Sequence, residues 1–289
     1  MISLNQWIAG ARPKTLAAAI APVLVGTSFA GKEIIPLHAL LALIVALALQ
    51  IGVNYANDYS DGVRGTDADR VGPLRLVGSG LANPKSVRNA AFISFAIAAL
   101  AGLILSARTS WFLLIIGALA ILAAWTYTGG PRPYGYSGLG EISVFLFFGL
   151  IATMGTYYVQ VQHLSNSVFL ASTSMGSFAC AILVLNNLRD RERDDQSGKR
   201  TLAVTLGDVS TRNLYRWLIF ASLAIVAPLT FFSPYFLLPL ALLPIAARLV
   251  RQVRSGAKNF DLVPLLASTG RLQIQYALLL SLAAVLAAR

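Results

Sequence analysis

The chain has 289 residues, 56% of them hydrophobic and only 12% charged, with a mean hydropathy of +0.68. A soluble globular domain carries about 25% charged residues, so this composition excludes a water-soluble fold and calls for a membrane. The net charge of +11 would suit a nucleic-acid partner, but the placement of the charges, given below, excludes one.

A spanning helix needs roughly 17–25 mostly apolar residues. Nine such stretches are predicted, at about 15–30, 38–54, 87–105, 110–127, 141–160, 168–187, 216–232, 234–250 and 273–288. The expectation is an all-α polytopic bundle forming a single transmembrane domain over residues 1–289. No small-residue cleavage site follows a short apolar region, so the first span is expected to stay in the mature protein. Of 23 Lys and Arg, 20 fall at the amino terminus and in alternate loops, leaving Lys32, Arg108 and Arg289 on the opposite side. The positive-inside rule then places the amino terminus in the cytoplasm and the chain in the cell membrane, with lipid as its surroundings.

In chain order, Trp7 suits an interfacial anchor. Ala11-Arg12-Pro13-Lys14-Thr15 leads into the first span, with proline at a helix start. Arg12 and Lys14 can touch lipid headgroups or face a bound anion. The second span closes on Asn54-Tyr55-Ala56-Asn57-Asp58-Tyr59-Ser60-Asp61. The loop that follows, to Ser86, is long for a connection and rich in glycine and apolar residues; a short cap helix is expected near Asn83-Pro84-Lys85-Ser86. Loop 4–5, Tyr127 to Glu141, is dense in Gly, Pro and Tyr and reads as a rigid turn or a shaped pocket wall. His38 and His163 are expected at the surface near span ends. The single Cys180 is expected as a small core residue.

The sixth span closes on Asn186-Asn187-Leu188-Arg189-Asp190-Arg191-Glu192-Arg193-Asp194. Asn186 follows Asn54, and Asp190 follows Asp58, by the same 132 residues. An i, i+4 pair lies on one helix face, so each motif can aim an amide oxygen and a carboxylate at one point. Eight of the 12 acids of the chain lie in or just after these motifs. The offset covers four spans and reads as a parallel internal repeat, about 1–135 on about 136–255, with a last helix left over. Both motifs would then face one cavity.

Mg²⁺ takes oxygen ligands, commonly one or two carboxylates plus substrate phosphates. Two facing acid clusters with Arg64, Lys199 and Arg200 beside them suit a diphosphate. Beside an apolar cavity, that diphosphate would be a prenyl one, whose departure metal and cations assist. A transporter would instead place ionisable groups along a path within the membrane, whereas these spans are nearly bare of charge.

These segments resemble a known family. Asn54…Asp58…Asp61 and Asp190…Asp194 resemble the two aspartate-rich motifs of the UbiA superfamily of intramembrane prenyltransferases. Ala11-Arg12-Pro13-Lys14-Thr15, Gly72-Pro73-x-Arg75-Leu76-Val77, Tyr127-Thr128-Gly129-Gly130-Pro131-x-Pro133 and Gly198-Lys199-Arg200-Thr201-Leu202-Ala203-Val204 resemble its 1,4-dihydroxy-2-naphthoate branch. Thr128-Gly129-Gly130 argues against the 4-hydroxybenzoate branch. Many members carry a third acid four residues after the position of Asp61; this chain has Gly65 there and offers Asp67 instead.

The resemblance implies a nine-helix UbiA-like bundle, Mg²⁺, and transfer of a polyprenyl group from its diphosphate to 1,4-dihydroxy-2-naphthoate with loss of CO₂, giving demethylmenaquinone; another aromatic acceptor is the alternative. Asn54, Asp58, Asp61, Asn186, Asp190 and Asp194 are the expected metal set, with the four aspartates catalytic. Arg12, Lys14, Arg64, Lys199 and Arg200 are expected at the diphosphate. Arg132, through its guanidinium, and Tyr127 and Tyr134, through their rings, are expected at the acceptor.

Overall fold

The computed structural model describes residues 2–65 and 74–288, and among these it is entirely helical. Asp67, the substitute third acid, lies outside the described residues, as do Gly72 and Pro73.

Helix α1 (Leu4–Ala11) starts from a capping box of Ser3 and Gln6. Arg12 takes a left-handed conformation (φ 54°) and a 3₁₀ turn leads to α2 (Ala17–Phe29), bent by 53° from the preceding segment. The first apolar stretch is short because it is the second half of this bent pair. Helix α3 (Pro36–Arg64) has proline at its first turn, where no amide partner is lost, and ends at Gly65, whose φ of 72° closes the helix as glycine at this position commonly does. Helix α4 (Pro84–Arg108) begins on Asn83, whose side chain accepts from Lys85 N at 2.9 Å. The expected separate cap helix is thus the first turn of α4. Helix α5 (Phe112–Thr126) has no buried residue and forms the loosest wall.

Helix α6 (Gly140–Val144), a π segment (Phe145–Ile151) and α7 (Ala152–Val161) form one continuous rod. Helix α8 (Asn166–Gln196) is the centre of the molecule: 72% of its most apolar window is buried, against at most 44% in the other long helices. Its contacts run to α9 (Leu202–Ala224), to the π segment and to α12 (Leu262–Ala287). Helix α9 kinks at Gly207 and gives way to α10 (Val226–Leu229). Ser233-Pro234 makes the tight turn into a 3₁₀ segment (Pro234–Leu242) and α11 (Leu243–Arg254).

Each predicted stretch falls on helical structure, although the one at about 216–232 is divided between α9, α10 and the turn that follows. Among the described residues six helices are long and apolar enough to cross a membrane, seven if the bent α1–α2 pair is one span, and α5 is a shorter apolar helix. His38 is not at the surface: it is buried, with Nδ1 2.7 Å from the Val159 carbonyl. His163 caps its own turn through Val161 O and meets the Tyr157 hydroxyl at 3.1 Å. Cys180 is buried, as a small core residue should be.

Candidate active site

Helices α3 and α8 carry the acid motifs in their last turns, and both reach one cavity of about 940 Å³. Its head is polar, lined by Asn54, Asn57, Asp61, Asn186, Asn187 and Asp194; its body is apolar, between α2, α3, α4, α5 and the π segment. On α3, residues three or four apart share a face, and the face that looks into the cavity is Asn54–Asn57–Asp61.

Asp58 points elsewhere. It is fully buried, does not line the cavity, and accepts the backbone amides of Leu76 at 2.7 Å and Val77 at 3.1 Å. It ties the end of the long loop to α3, and so brings Arg75 to Asp61. Asn54 lines the cavity but gives its Nδ2 to Ala11 O and Thr15 Oγ1, each at 3.0 Å. It clasps the bend that sets Arg12 and Lys14 at the cavity wall. Tyr55 holds the same segment, donating to Trp7 O at 2.8 Å with the two rings edge to face.

Asp61 is the electrostatic centre. Lys199 Nζ stands 3.3 Å from one carboxylate oxygen and Arg75 Nη2 3.5 Å from the other, and the Tyr136 hydroxyl donates to it. The Lys199 ammonium also lies 4.6 Å above the Tyr136 ring, a favourable cation–π placement. In the second motif Arg189 meets both oxygens of Asp190 at 2.7 Å and the Asn186 amide oxygen at 2.9 Å. Arg189 lines the cavity and Asp190 lies behind it.

Three expected cations are not at the cavity. Arg64 is exposed and clamps the carbonyls of Thr128 and Gly130, because its position on the last turn of α3 faces the tyrosine loop. Arg200 is exposed and pairs with Asp195 at 2.8 Å. Arg132 is exposed and does not line the cavity. Tyr127 and Tyr134 do line it, edge to face with ring centres 5.4 Å apart. Burial raises the Tyr134 phenol above its ordinary pKa, against a hydrogen bond with Ser143 that lowers it. Thr128 Oγ1 donates to Asn57 Oδ1 at 2.7 Å, joining this loop to the first motif.

Sequence reasoning passed over Asn57, Arg75, Tyr136, Asn187 and Arg189. Asn57 had a signal, since it stands four residues before Asp61. Asn187 and Arg189 stand inside the second motif on α8, beside the residues that were chosen, whereas Arg75 and Tyr136 depend on loops whose course no local pattern specifies. Among the described residues no three His, Cys, Asp or Glu side chains converge. The cavity head offers carboxylates from Asp61 and Asp194 beside several amide oxygens, a donor set that suits a hard divalent cation sharing its remaining ligands with phosphate and water.

The profile of the UbiA prenyltransferase family matches residues 19–261. The 1,4-dihydroxy-2-naphthoate octaprenyltransferase of Mycobacterium tuberculosis is 48% identical over 280 residues, covering 96% of each chain. The protein of the same name from Escherichia coli is 43% identical over 270 residues, covering 90% of this chain and 88% of that one. The fold is similar to that of a UbiA homolog from Archaeoglobus fulgidus bound to DMAPP and Mg²⁺, with a TM-score of 0.69 at 16% identity over 97% of this chain and 99% of that one.

Proposed function

The chain belongs to the UbiA prenyltransferase family, and from that premise we propose that it transfers a polyprenyl group from polyprenyl diphosphate to 1,4-dihydroxy-2-naphthoate, releasing diphosphate and CO₂ and forming demethylmenaquinone for menaquinone synthesis. The observation that carries this reading is a single cavity that joins a polar head, built from both acid motifs, to an apolar body long enough to run between several spans. It is a multi-pass membrane protein, and we place it in the cell membrane with both motifs on the cytoplasmic side.

The diphosphate would lie at the head. Lys199 and Arg75 now rest on Asp61, and Arg12, Lys14 and Arg189 line the same end; these are the cations that would neutralise the diphosphate as its bond to the allylic carbon breaks. Asp61, Asp194, Asn57 and Asn186 would hold Mg²⁺, with Asp190 within reach through Arg189; bound there, the metal supplies charge stabilisation for the departing diphosphate. Asp58 and Asn54 act one step back, fixing the loop and the amino-terminal bend that carry Arg75, Arg12 and Lys14. The prenyl tail would fill the apolar body, which keeps water from the allylic cation. Tyr127 and Tyr134 would flank the acceptor ring, whose hydroxyls make it nucleophilic enough to form the new carbon–carbon bond while its carboxylate leaves as CO₂. Two motif helices feeding one head also support the four-helix internal repeat.

The test is a panel of aromatic acceptors offered with one prenyl diphosphate and Mg²⁺ to the purified protein. Prenylated, decarboxylated product from the naphthoate is expected. Product from a different acceptor alone, or substrate flux into liposomes without transfer, refutes the reading.

A further inference from the structure

The second motif has two adjacent asparagines, and the structure gives them different partners. Asn186 turns its carbonyl oxygen to Arg189. Asn187 donates its Nδ2 to Glu141 Oε1 at 3.0 Å, and both residues are buried. Glu141 opens α6 at the end of the tyrosine loop, and its backbone carbonyl accepts from Cys180 Sγ at 3.1 Å, which fixes α6 against α8. Its second carboxylate oxygen is buried with no hydrogen-bond partner among the described residues. A plain turn into a membrane helix has no use for such a group, since an unsatisfied buried acceptor costs stability.

An amide NH₂ can only donate, and Glu141 Oε1 is the acceptor it meets. The contact therefore settles which end of the Asn187 amide faces α6: the NH₂ end is held by Glu141 and the carbonyl end is left for the cavity. Asn187 lines that cavity beside Tyr127 and Tyr134, where the ring substrate would lie.

We propose that Glu141 is a positioning residue for the aromatic acceptor: by holding Asn187 through Nδ2, it presents Asn187 Oδ1 as a fixed acceptor for a hydroxyl of the ring substrate. The proposal rests on the prenyl-transfer reading above. A hydroxyl donating to an amide oxygen that is backed by a carboxylate is oriented by the chain of hydrogen bonds, and the chain polarises it. The ring is then presented to the allylic carbon in one pose, and a substrate lacking that hydroxyl would lose the contact.

The test uses the full-length protein in detergent, with naphthoate and prenyl diphosphate varied separately. Naphthoate binding without donor is read from tryptophan fluorescence, and a melting curve is recorded for each variant. Glu141→Ala is expected to raise the naphthoate KM and Kd about tenfold, the scale of one misdirected hydrogen bond, with the prenyl diphosphate KM within about twofold of wild type. Glu141→Gln, whose amide oxygen still accepts from Asn187, should restore most of the affinity. A Glu141→Ala/Asn187→Ala double variant should be no worse than Asn187→Ala alone, since the two act as a unit. The proposal is overturned if the naphthoate constants do not move, if the prenyl diphosphate KM rises instead, or if the two losses add. Should Glu141→Ala not fold, Glu141→Gln and Asn187→Ala decide: the first must bind naphthoate nearly as wild type and the second must not. Failure of the functional reading looks different, because wild type itself would then yield no product from the naphthoate.

Discussion

Asp61→Asn is the perturbation that probes the site most directly. The residue is 3% exposed and touches two cations, at 3.3 Å and 3.5 Å, besides the Tyr136 hydroxyl. At an effective dielectric of about 20, each ion pair at such a distance gives about 5 kcal/mol of gross attraction. Desolvation of the charges offsets most of that. What a substitution exposes is the cost of stranding the partners, about 3–5 kcal/mol for a buried pair. Asparagine keeps the shape and removes the charge, so Lys199 and Arg75 are left facing each other across a neutral group. Two results are expected. The free protein should melt lower than wild type. Its kcat should fall by about 10²–10³, the range for removing one preorganised electrostatic contributor. Because a diphosphate can re-pair the stranded cations, saturating prenyl diphosphate should raise the melting temperature of the variant by more than it raises that of wild type. Initial rates by chromatography of the prenylated product, with melting curves with and without donor, make the check. A variant with wild-type rate and an unchanged melting curve would refute the reasoning.

Asp58→Ala should lower activity by an order of magnitude or more through the loop, and hydrogen exchange should quicken at the Leu76 and Val77 amides, whose acceptor is removed; unchanged protection there would contradict the anchoring role. Arg132→Gln should leave the naphthoate KM as it is, since the side chain is exposed and outside the cavity; a rise in that KM alone would restore Arg132 to the acceptor site. Gly26→Ala should destabilise the bundle by about 1–3 kcal/mol, as overpacking does, because a Cβ there would run into the Thr153 carbonyl oxygen where α2 crosses α7; a melting curve like that of wild type would say the crossing can yield. Single cysteines placed at Ser79 and Ser197 should react with an impermeant thiol reagent only when it reaches the cytoplasmic face, and labelling of intact cells from outside would reverse the topology.

The fold was legible in the sequence because its signals are long. An apolar run must be buried or meet lipid, and little local competes with it, so the predicted stretches fall on helical structure, with the 216–232 stretch broken between α9 and α10. The bent α1–α2 pair was harder to read, since the bend turns on one left-handed residue, Arg12, held by Asn54 from another helix. At the site, the acid motifs announced themselves by type and spacing. Which of their faces looks inward did not. Asn54–Asp58 and Asn57–Asp61 are equally good i, i+4 pairs, and only the descent of Leu76 and Val77 onto Asp58 decides that Asp61 is the inward acid. The misplaced cations fail for a related reason. Arg64 and Arg200 stand beside the motifs in sequence, but one is taken by backbone carbonyls and the other by Asp195.

The head of the cavity pairs its acids with its own bases: Asp61 with Lys199 and Arg75, Asp190 with Arg189. Uncompensated carboxylates at the end of an apolar chamber would be costly, and so would uncompensated cations. Holding both signs in contact compensates these acids in the free site while storing each charge within a side chain's swing of where it would be used. A substrate that brings a metal cation and a diphosphate anion together offers each stored charge a new partner of the right sign. The exchange conserves ion pairs, so the donor can bind without the protein paying to desolvate a bare charge at any stage. A prenyl chain ending in an uncharged alcohol offers no such exchange, and should bind weakly despite filling the same apolar body.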